Sequence, residues 1–422
     1  MTKNRFALVG CSLLVVLVEL LAACRGVSPR EQALEATVVV LQTRAAKAEN
    51  PSASPTANSL PTLAPTAILT TVTPLTTGSV TDTLAARIDQ YIRDYNRSRN
   101  PEFSGTLLIA RQGKVLVSQG FGSADQENEV PNAPQTKFAI GSMGKAFTAM
   151  AIMILQERGQ LKVTDPICQY VADCPAAWKP ITLDHLLTHT SGITSYTALQ
   201  PKFNICQKHR PEEVIAYFKD LALEFAPGSE YRYSNSGYFL LGTVIEQVSG
   251  ERYETFVQKN IFQPLSMTES GYDRSSAIVK NRASGYSTEY GQMINAPCWD
   301  VSLKYAAGGW YSTVGDLYKW DQALYTDQLI SKEALSKMFT STVSIAGYDG
   351  VYGYGWEISR QDGRRVVEHG GGVYGFASHI ARYPDDRVVI VVLTNSDALR
   401  PASICRELAA IVFKESRQVG AP

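Results

Sequence analysis

Phe138-Ala139-Ile140-Gly141-Ser142-Met143-Gly144-Lys145-Ala146-Phe147-Thr148-Ala149-Met150 is the stretch around which the chain is organised. Gly141, Ser142 and Gly144 read as the opening of a helix. From Ala146 to Leu155 the chain is apolar, interrupted only by Thr148. A helix that apolar is buried on most sides. Ser142 would then stand at the N-terminus of a core helix, where free backbone N–H groups and the positive dipole end favour developing negative charge. Lys145, three residues on, shares its face. Burying an ammonium there without a partner is costly. Burial lowers its pKa, and a neutral amine can take a proton from the serine hydroxyl. The alternative is an N-cap serine followed by a solvated lysine, and the pair alone does not decide between them.

Two later stretches bear on that choice. Tyr231-Arg232-Tyr233-Ser234-Asn235-Ser236-Gly237-Tyr238 follows a Pro227-Gly228 turn and precedes a helix. Tyr233 offers a phenol that a neighbouring ammonium could hold as phenolate, and Asn235 offers an amide donor and acceptor. The competing reading is an aromatic packing cluster with Asn235 or Ser236 as an N-cap. His369-Gly370-Gly371-Gly372 lies between strand-like runs. Glycines weaken a strand and mark close approach of another backbone or a ligand. A strand edge stripped of side chains can bind an extended peptide through main-chain bonds, and His369 adds a titratable donor. Against this stands a bulge with a surface histidine.

The rest of the domain frames these stretches. Leu84, Ile88, Tyr91, Ile92 and Tyr95 mark an amphipathic helix. Gly105 to Ala110 and Val115 to Gly120 read as strands joined by Arg111-Gln112-Gly113-Lys114, a hairpin signal. Helices are expected over Leu183 to Leu187, Pro211 to Leu223, Tyr238 to Val248 and Val314 to Tyr325. Strands return over Tyr354 to Ser359, Arg365 to Glu368, Phe376 to Tyr383 and Arg387 to Thr394, with Pro384-Asp385-Asp386 as a tight turn. A closing helix is expected over Pro401 to Lys414. The predicted class is α+β: an antiparallel sheet lobe built from both ends of the domain and flanked by helices, with a mostly helical lobe inserted in the middle.

Ser142-x-x-Lys145, Tyr233-Ser234-Asn235 and His369-Gly370-Gly371, in that order, resemble the three signature boxes of the serine β-lactamase and penicillin-binding-protein superfamily. They look most like its class C β-lactamase and D-Ala-D-Ala carboxypeptidase branch, which uses Tyr-x-Asn in the second box. Leu186-Leu187-Thr188-His189-Thr190-Ser191-Gly192-Ile193 is similar to that family's helix-to-loop segment. The resemblance covers about residues 82–417 and implies the roles. Ser142 is the acylated nucleophile, and Lys145 and Tyr233 share its proton, which of them is the base being open. Asn235 binds the substrate amide carbonyl, and His369, Gly370 and Gly371 orient substrate along the strand. Backbone N–H groups of Ser142 and Gly372 form an oxyanion hole, each donor worth about 3 kcal/mol in the transition state. Many relatives carry Lys-Thr-Gly in the third box. Here a partly cationic histidine and a glycine without a hydroxyl stand in their place, which speaks against strong β-lactamase activity and not against acyl transfer.

Asp184, His185 and His189 invite a Ser-His-Asp reading, but the Lys145/Tyr233 pair already supplies a base, so His189 is expected to be structural. Gly308-Gly309-Trp310-Tyr311-Ser312 could line the site, with Trp310 on substrate, or pack in the core. The expected enzyme hydrolyses amide or peptide bonds, such as D-amino-acid or cell-wall peptides, and β-lactams slowly. A carboxylesterase of the same fold and a non-catalytic envelope binding protein are the rivals.

The N-terminus reads as a targeting segment: Lys3 and Arg5, a mostly apolar run from Phe6 to Ala23, then Leu21-Ala22-Ala23-Cys24. Cysteine after Leu-Ala-Ala resembles the lipobox of bacterial lipoproteins, which implies cleavage before Cys24 and lipid on it. Glu19 argues against the alternative of a membrane-spanning anchor. The expected segments are a signal peptide over 1–23, a lipidated N-terminus with a short helix over 24–50, a Pro/Thr/Ser-rich spacer over 51–81, the hydrolase domain over 82–417 and a tail over 418–422. The implied location is the bacterial cell envelope, with a lipid anchor in the membrane. Basic and acidic residues balance at 40 each, and no basic patch points to nucleic acid. No cofactor or metal is expected, because Cys and His residues lack ligand spacing, and the protein is expected to be a monomer. Of seven cysteines, Cys168 with Cys174 is the favoured disulfide and Cys206 with Cys298 a weaker one.

Overall fold

The computed structural model describes residues 83–199, 204–340, 343–345 and 347–419, with side chains to Lys414. The expected signal peptide, lipidation at Cys24 and spacer lie outside the described residues. Within them no helix is long and apolar enough to cross a membrane.

Helix α1 (Leu84–Ser98) forms where Leu84, Ile88 and Ile92 recur every four residues, and all three are buried. Strands β1 (Gly105–Arg111) and β2 (Lys114–Phe121) follow. Gln112 and Gly113 between them both hold positive φ, 49° and 76°, the geometry that matches the twist of a tight hairpin. Helix α2 (Lys145–Glu157) is buried at every position from Lys145 to Leu155. The middle of the chain contributes α3 (Asn235–Ser249), α4 (Val301–Gly308) and α5 (Val314–Ala323), with shorter helices between. Five strands then close the sheet: β3 (Gly350–Tyr352), β4 (Glu357–Gln361), β5 (Arg364–Val373), β6 (Phe376–Tyr383) and β7 (Val388–Thr394). Helix α6 (Pro401–Val419) ends the domain.

The sheet order is β3-β4-β5-β6-β7-β1-β2, and each neighbouring pair is antiparallel. The first two strands are thus added beside the last. Period-two alternation sorts side chains to the two faces. Leu108, Ala110, Val389, Val391 and Leu393 meet α2 and the helical region. Leu107, Ile109, Val388, Ile390 and Val392 meet α1 and α6. Strands covered on both faces read as unbroken apolar runs, as Val388 to Leu393 does.

Both expected disulfides form, Cys168–Cys174 and Cys206–Cys298, and Cys405 is buried and free. The second spans 92 residues that include Tyr233 and Asn235. A cross-link closing so long a loop removes much entropy from the unfolded chain. Replacing Cys206 and Cys298 together by serine is expected to lower unfolding free energy by roughly 2–4 kcal/mol, read as a lower urea midpoint. An unchanged midpoint would show that the bond does not constrain the unfolded chain.

Several boundaries differ from expectation. The helix expected over Pro211 to Leu223 stops at Ala216, where Tyr217 and Phe218 bond back three residues to Val214 and Ile215 and tighten the turn. Helix α3 begins at Asn235 instead of Tyr238, so Asn235 stands on its first turn and not in a loop. The strand expected from Tyr354 starts at Glu357; Gly355 has φ 75° and turns the chain before it. His369 to Gly372 are not a gap between strands but the second half of β5. The closing helix runs five residues past Lys414, to Val419.

Candidate active site

Ser142 lies in a single 3-10 turn, Gly141–Gly144, whose last residue leads directly into α2. It is half-buried, whereas Lys145, the first residue of α2, is fully buried at 0% exposure. Lys145 Nζ is 3.0 Å from Ser142 Oγ, 2.7 Å from Asn235 Oδ1 and 2.8 Å from the Ala307 carbonyl oxygen. None of these partners is charged, and burial pushes the amine well below lysine's usual pKa. The two carbonyl-type oxygens can only accept. A neutral amine has two hydrogens for them and one lone pair for the Ser142 hydroxyl. An ammonium has three hydrogens for the same three oxygens. One arrangement therefore satisfies the group on both sides of a proton transfer.

The second stretch converges on the same nitrogen. The Tyr233 ring lies under Lys145 Nζ, 4.8 Å from ring centroid to nitrogen. Asn235 is held from three sides: its backbone N–H donates to Ser195 Oγ at 3.0 Å, its Nδ2 donates to Thr197 Oγ1 at 2.9 Å, and its Oδ1 accepts from Lys145. One of the two Asn235 Nδ2 hydrogens is thus taken by Thr197 here.

Strand β5 meets the Ser142 turn backbone to backbone. Strand β4 pairs with β5 only over Arg364 to Glu368, so among the described residues β5 has β6 as its sole strand partner from His369 onward. A Cβ on Gly371 would stand 1.9 Å from the Ile140 carbonyl oxygen, and one on Gly141, whose φ is 51°, would stand 2.8 Å from the Gly372 nitrogen. The glycines are what permits this approach, and it brings the Gly372 peptide beside Ser142. Gly308, at the end of α4, closes on Gly141 from the other side, where a Cβ would lie 2.9 Å from the Gly141 carbonyl carbon. His369 is buried at 2% exposure. Its Nε2 is 2.9 Å from the Tyr352 hydroxyl and its Nδ1 2.6 Å from the Gly370 carbonyl oxygen. Burial raises the Tyr352 phenol well above its usual pKa, which keeps it protonated.

The Ser-His-Asp alternative does not assemble. Asp184 accepts from the Tyr354 hydroxyl, and His185 Nδ1 accepts from the Thr182 N–H at 3.2 Å in a capping box. His189 Nδ1 accepts from the Ser234 N–H at 3.2 Å, and its ring packs 4.3 Å from that of Tyr233 and 4.6 Å from that of Tyr352. It supports the tyrosine box from behind. Trp310 is core, 1% exposed, with Nε1 donating to the Tyr253 hydroxyl at 2.9 Å. Among the described residues no group of three His, Cys, Asp or Glu is placed to hold a metal ion.

The sequence model of the beta-lactamase family matches residues 88–413, a span that contains all three boxes. The chain belongs to the beta-lactamase family. The Bacillus subtilis protein PbpX, assigned as a penicillin-binding protein, is 34% identical over 273 residues, 65% of each chain. The match thus spans a little under two thirds of that relative's length. An octameric penicillin-binding-protein homologue from Pyrococcus abyssi superposes with a TM-score of 0.70 at 31% identity, covering 78% of this chain and 77% of its own. A D-stereospecific amidohydrolase from Streptomyces superposes with a TM-score of 0.64 at 26% identity, covering 74% and 94%. The family's beta-lactamase/transpeptidase-like α+β fold is the one described above.

Within this family member, four contributors to the site escape sequence reasoning. Ser195 and Thr197 clamp Asn235; the run Ser191-Gly192-Ile193-Thr194-Ser195 is rich in hydroxyls and glycine, a usable but weak signal. Tyr352 bonds His369 from a Tyr-Gly-Tyr-Gly stretch with no distinguishing pattern. Ala307 acts through its carbonyl, and a backbone acceptor leaves no trace in residue type.

Proposed function

We propose that the chain is a serine hydrolase that forms an acyl-enzyme at Ser142 and acts on amide, peptide or ester bonds of D-amino-acid and cell-wall-type substrates, with β-lactams turned over slowly. The observation that carries this reading is the buried Lys145 amine, bonded only to uncharged partners and 3.0 Å from Ser142 Oγ. Lys145 takes the Ser142 proton as Oγ bonds to the substrate carbonyl carbon. The bond to the leaving group breaks, and that group receives the proton through Lys145 and Tyr233. Water then attacks the ester by the reverse relay. The Ser142 and Gly372 amides stabilise the oxyanion, Asn235 orients lysine and substrate, and Gly370 and Gly371 let the substrate lie along β5. The likeness to a D-stereospecific amidohydrolase supports an amide substrate. The Leu21-Ala22-Ala23-Cys24 motif supports export and lipid anchoring at the cell envelope.

Intact mass after brief exposure to benzylpenicillin and to a p-nitrophenyl acyl ester tests the proposal. A covalent adduct is expected on the wild type and none on Ser142→Ala. An adduct that persists in Ser142→Ala, or none with either reagent and no turnover, would overturn it.

A further inference from the structure

We propose that the cleft selects substrates whose leaving group is uncharged, an ester or an amide with no carboxylate beside the scissile bond, over peptides that end in a free carboxylate there. This rests on the serine hydrolase reading and adds the class of substrate.

A carboxylate bound next to the nucleophile needs a cation or a set of directed donors. Of the side chains placed at the site above, among the described residues, Lys145 and His369 can carry positive charge, and both are committed elsewhere. Lys145 is fully buried, with its nitrogen bonded to Ser142, Asn235 and Ala307. His369 is 2% exposed. Its Nδ1 faces the Gly370 carbonyl, which can only accept, so the ring proton sits on Nδ1. Its Nε2 is bonded to the Tyr352 hydroxyl at 2.9 Å. Both ring nitrogens are thus bonded inside the protein, and neither is turned to a substrate carboxylate.

The strand beyond His369 adds no side-chain donor, because positions 370, 371 and 372 are all glycine. The next histidine, His379 on β6, packs against Gly370, where a Cβ would stand 3.2 Å from its Nδ1. Its Nε2 is 3.0 Å from the Glu368 carboxylate, so any positive charge there is already countered. What β5 presents from His369 onward is main chain and an unfilled space, since a Cβ on Gly372 would meet nothing within 4 Å. Such a surface accepts a neutral group of some bulk and leaves a carboxylate desolvated and unpaired.

The test is a matched pair: the phenyl and 3-carboxyphenyl esters of N-acetyl-D-alanine, corrected for uncatalysed hydrolysis. N-acetyl-D-alanyl-D-alanine and its C-terminal amide form a second pair, and Ser142→Ala is run alongside. The expected result is kcat/KM at least about tenfold higher for the neutral member of each pair, a difference on the scale of one lost charge-assisted hydrogen bond. Equal or faster turnover of the carboxylate members, with Ser142 acylated, would overturn this inference and leave the hydrolase reading standing. Turnover of no ester, with Ser142 unmodified, would overturn both.

Discussion

Lys145→Ala is expected to lower the rate of Ser142 acylation at least about a hundredfold, the usual scale for a general acid–base group. Only the neutral amine has a lone pair for the serine proton. Because burial lowers the Lys145 pKa, that form is present at lower pH than for a solvated lysine. In the wild type kcat/KM therefore falls as pH drops through the lowered pKa, and in Lys145→Ala this acidic limb disappears along with the rate. Tyr233→Phe is expected to cost a similar factor while keeping the limb. Burst kinetics with a p-nitrophenyl ester across pH separate the cases. Thermal unfolding shows whether the alanine variant keeps its fold once Asn235 Oδ1 and the Ala307 carbonyl lose their donor. A near-normal rate with an unchanged limb would remove Lys145 from the mechanism.

Gly371→Ala should be nearly as damaging, for a steric reason. The added Cβ would fall 1.9 Å from the Ile140 carbonyl oxygen and 2.7 Å from Ser378 Oγ. Ser378 can rotate away; the carbonyl belongs to the backbone that leads into the Ser142 turn. Strand β5 and the Gly141–Ser142 turn must move apart, and the Gly372 amide moves with the strand. Losing one oxyanion donor costs about 10²–10³ in kcat, and that is the expected loss. Gly315→Ala in α5 is the control, since its Cβ would meet nothing closer than 3.8 Å; its kcat should stay within about twofold of wild type, as for most substitutions free of such contacts. Equal activities of the two variants would show that close approach of β5 to the turn is dispensable.

The candidate site was legible because its members are residue types at short spacings. Ser142 and Lys145 share a helical face at i and i+3, Tyr233 and Asn235 sit two apart, and the glycine run follows His369. Each pattern is local, and local patterns survive in a linear string. The sheet was legible for the same reason: Gly105 to Gly120 and Phe376 to Thr394 carry their own turns between apolar runs. The triad-like set Asp184, His185 and His189 shows the limit of such reading. Three suitable residue types within six positions are sent to three unrelated partners by the capping of a short helix and the packing of an aromatic cluster.

What only the tertiary structure decided is which partner each reactive group meets. Lys145 is bonded to Asn235 and Ala307, 90 and 162 residues away, and His369 turns inward to Tyr352 instead of offering its nitrogen to the cleft. Trp310, next to two glycines, could line a site or fill a core until the surrounding rings took it. Every residue carries a carbonyl, so nothing in the composition of Ala307 marks it as the acceptor. Its role comes from α4 ending against the start of α2, and that contact is set by how two apolar surfaces pack. By itself the sequence determined the reactive residue types and the hairpins, through local spacing; packing over long separations decided the order of the strands in the sheet and the partner and orientation of each reactive group.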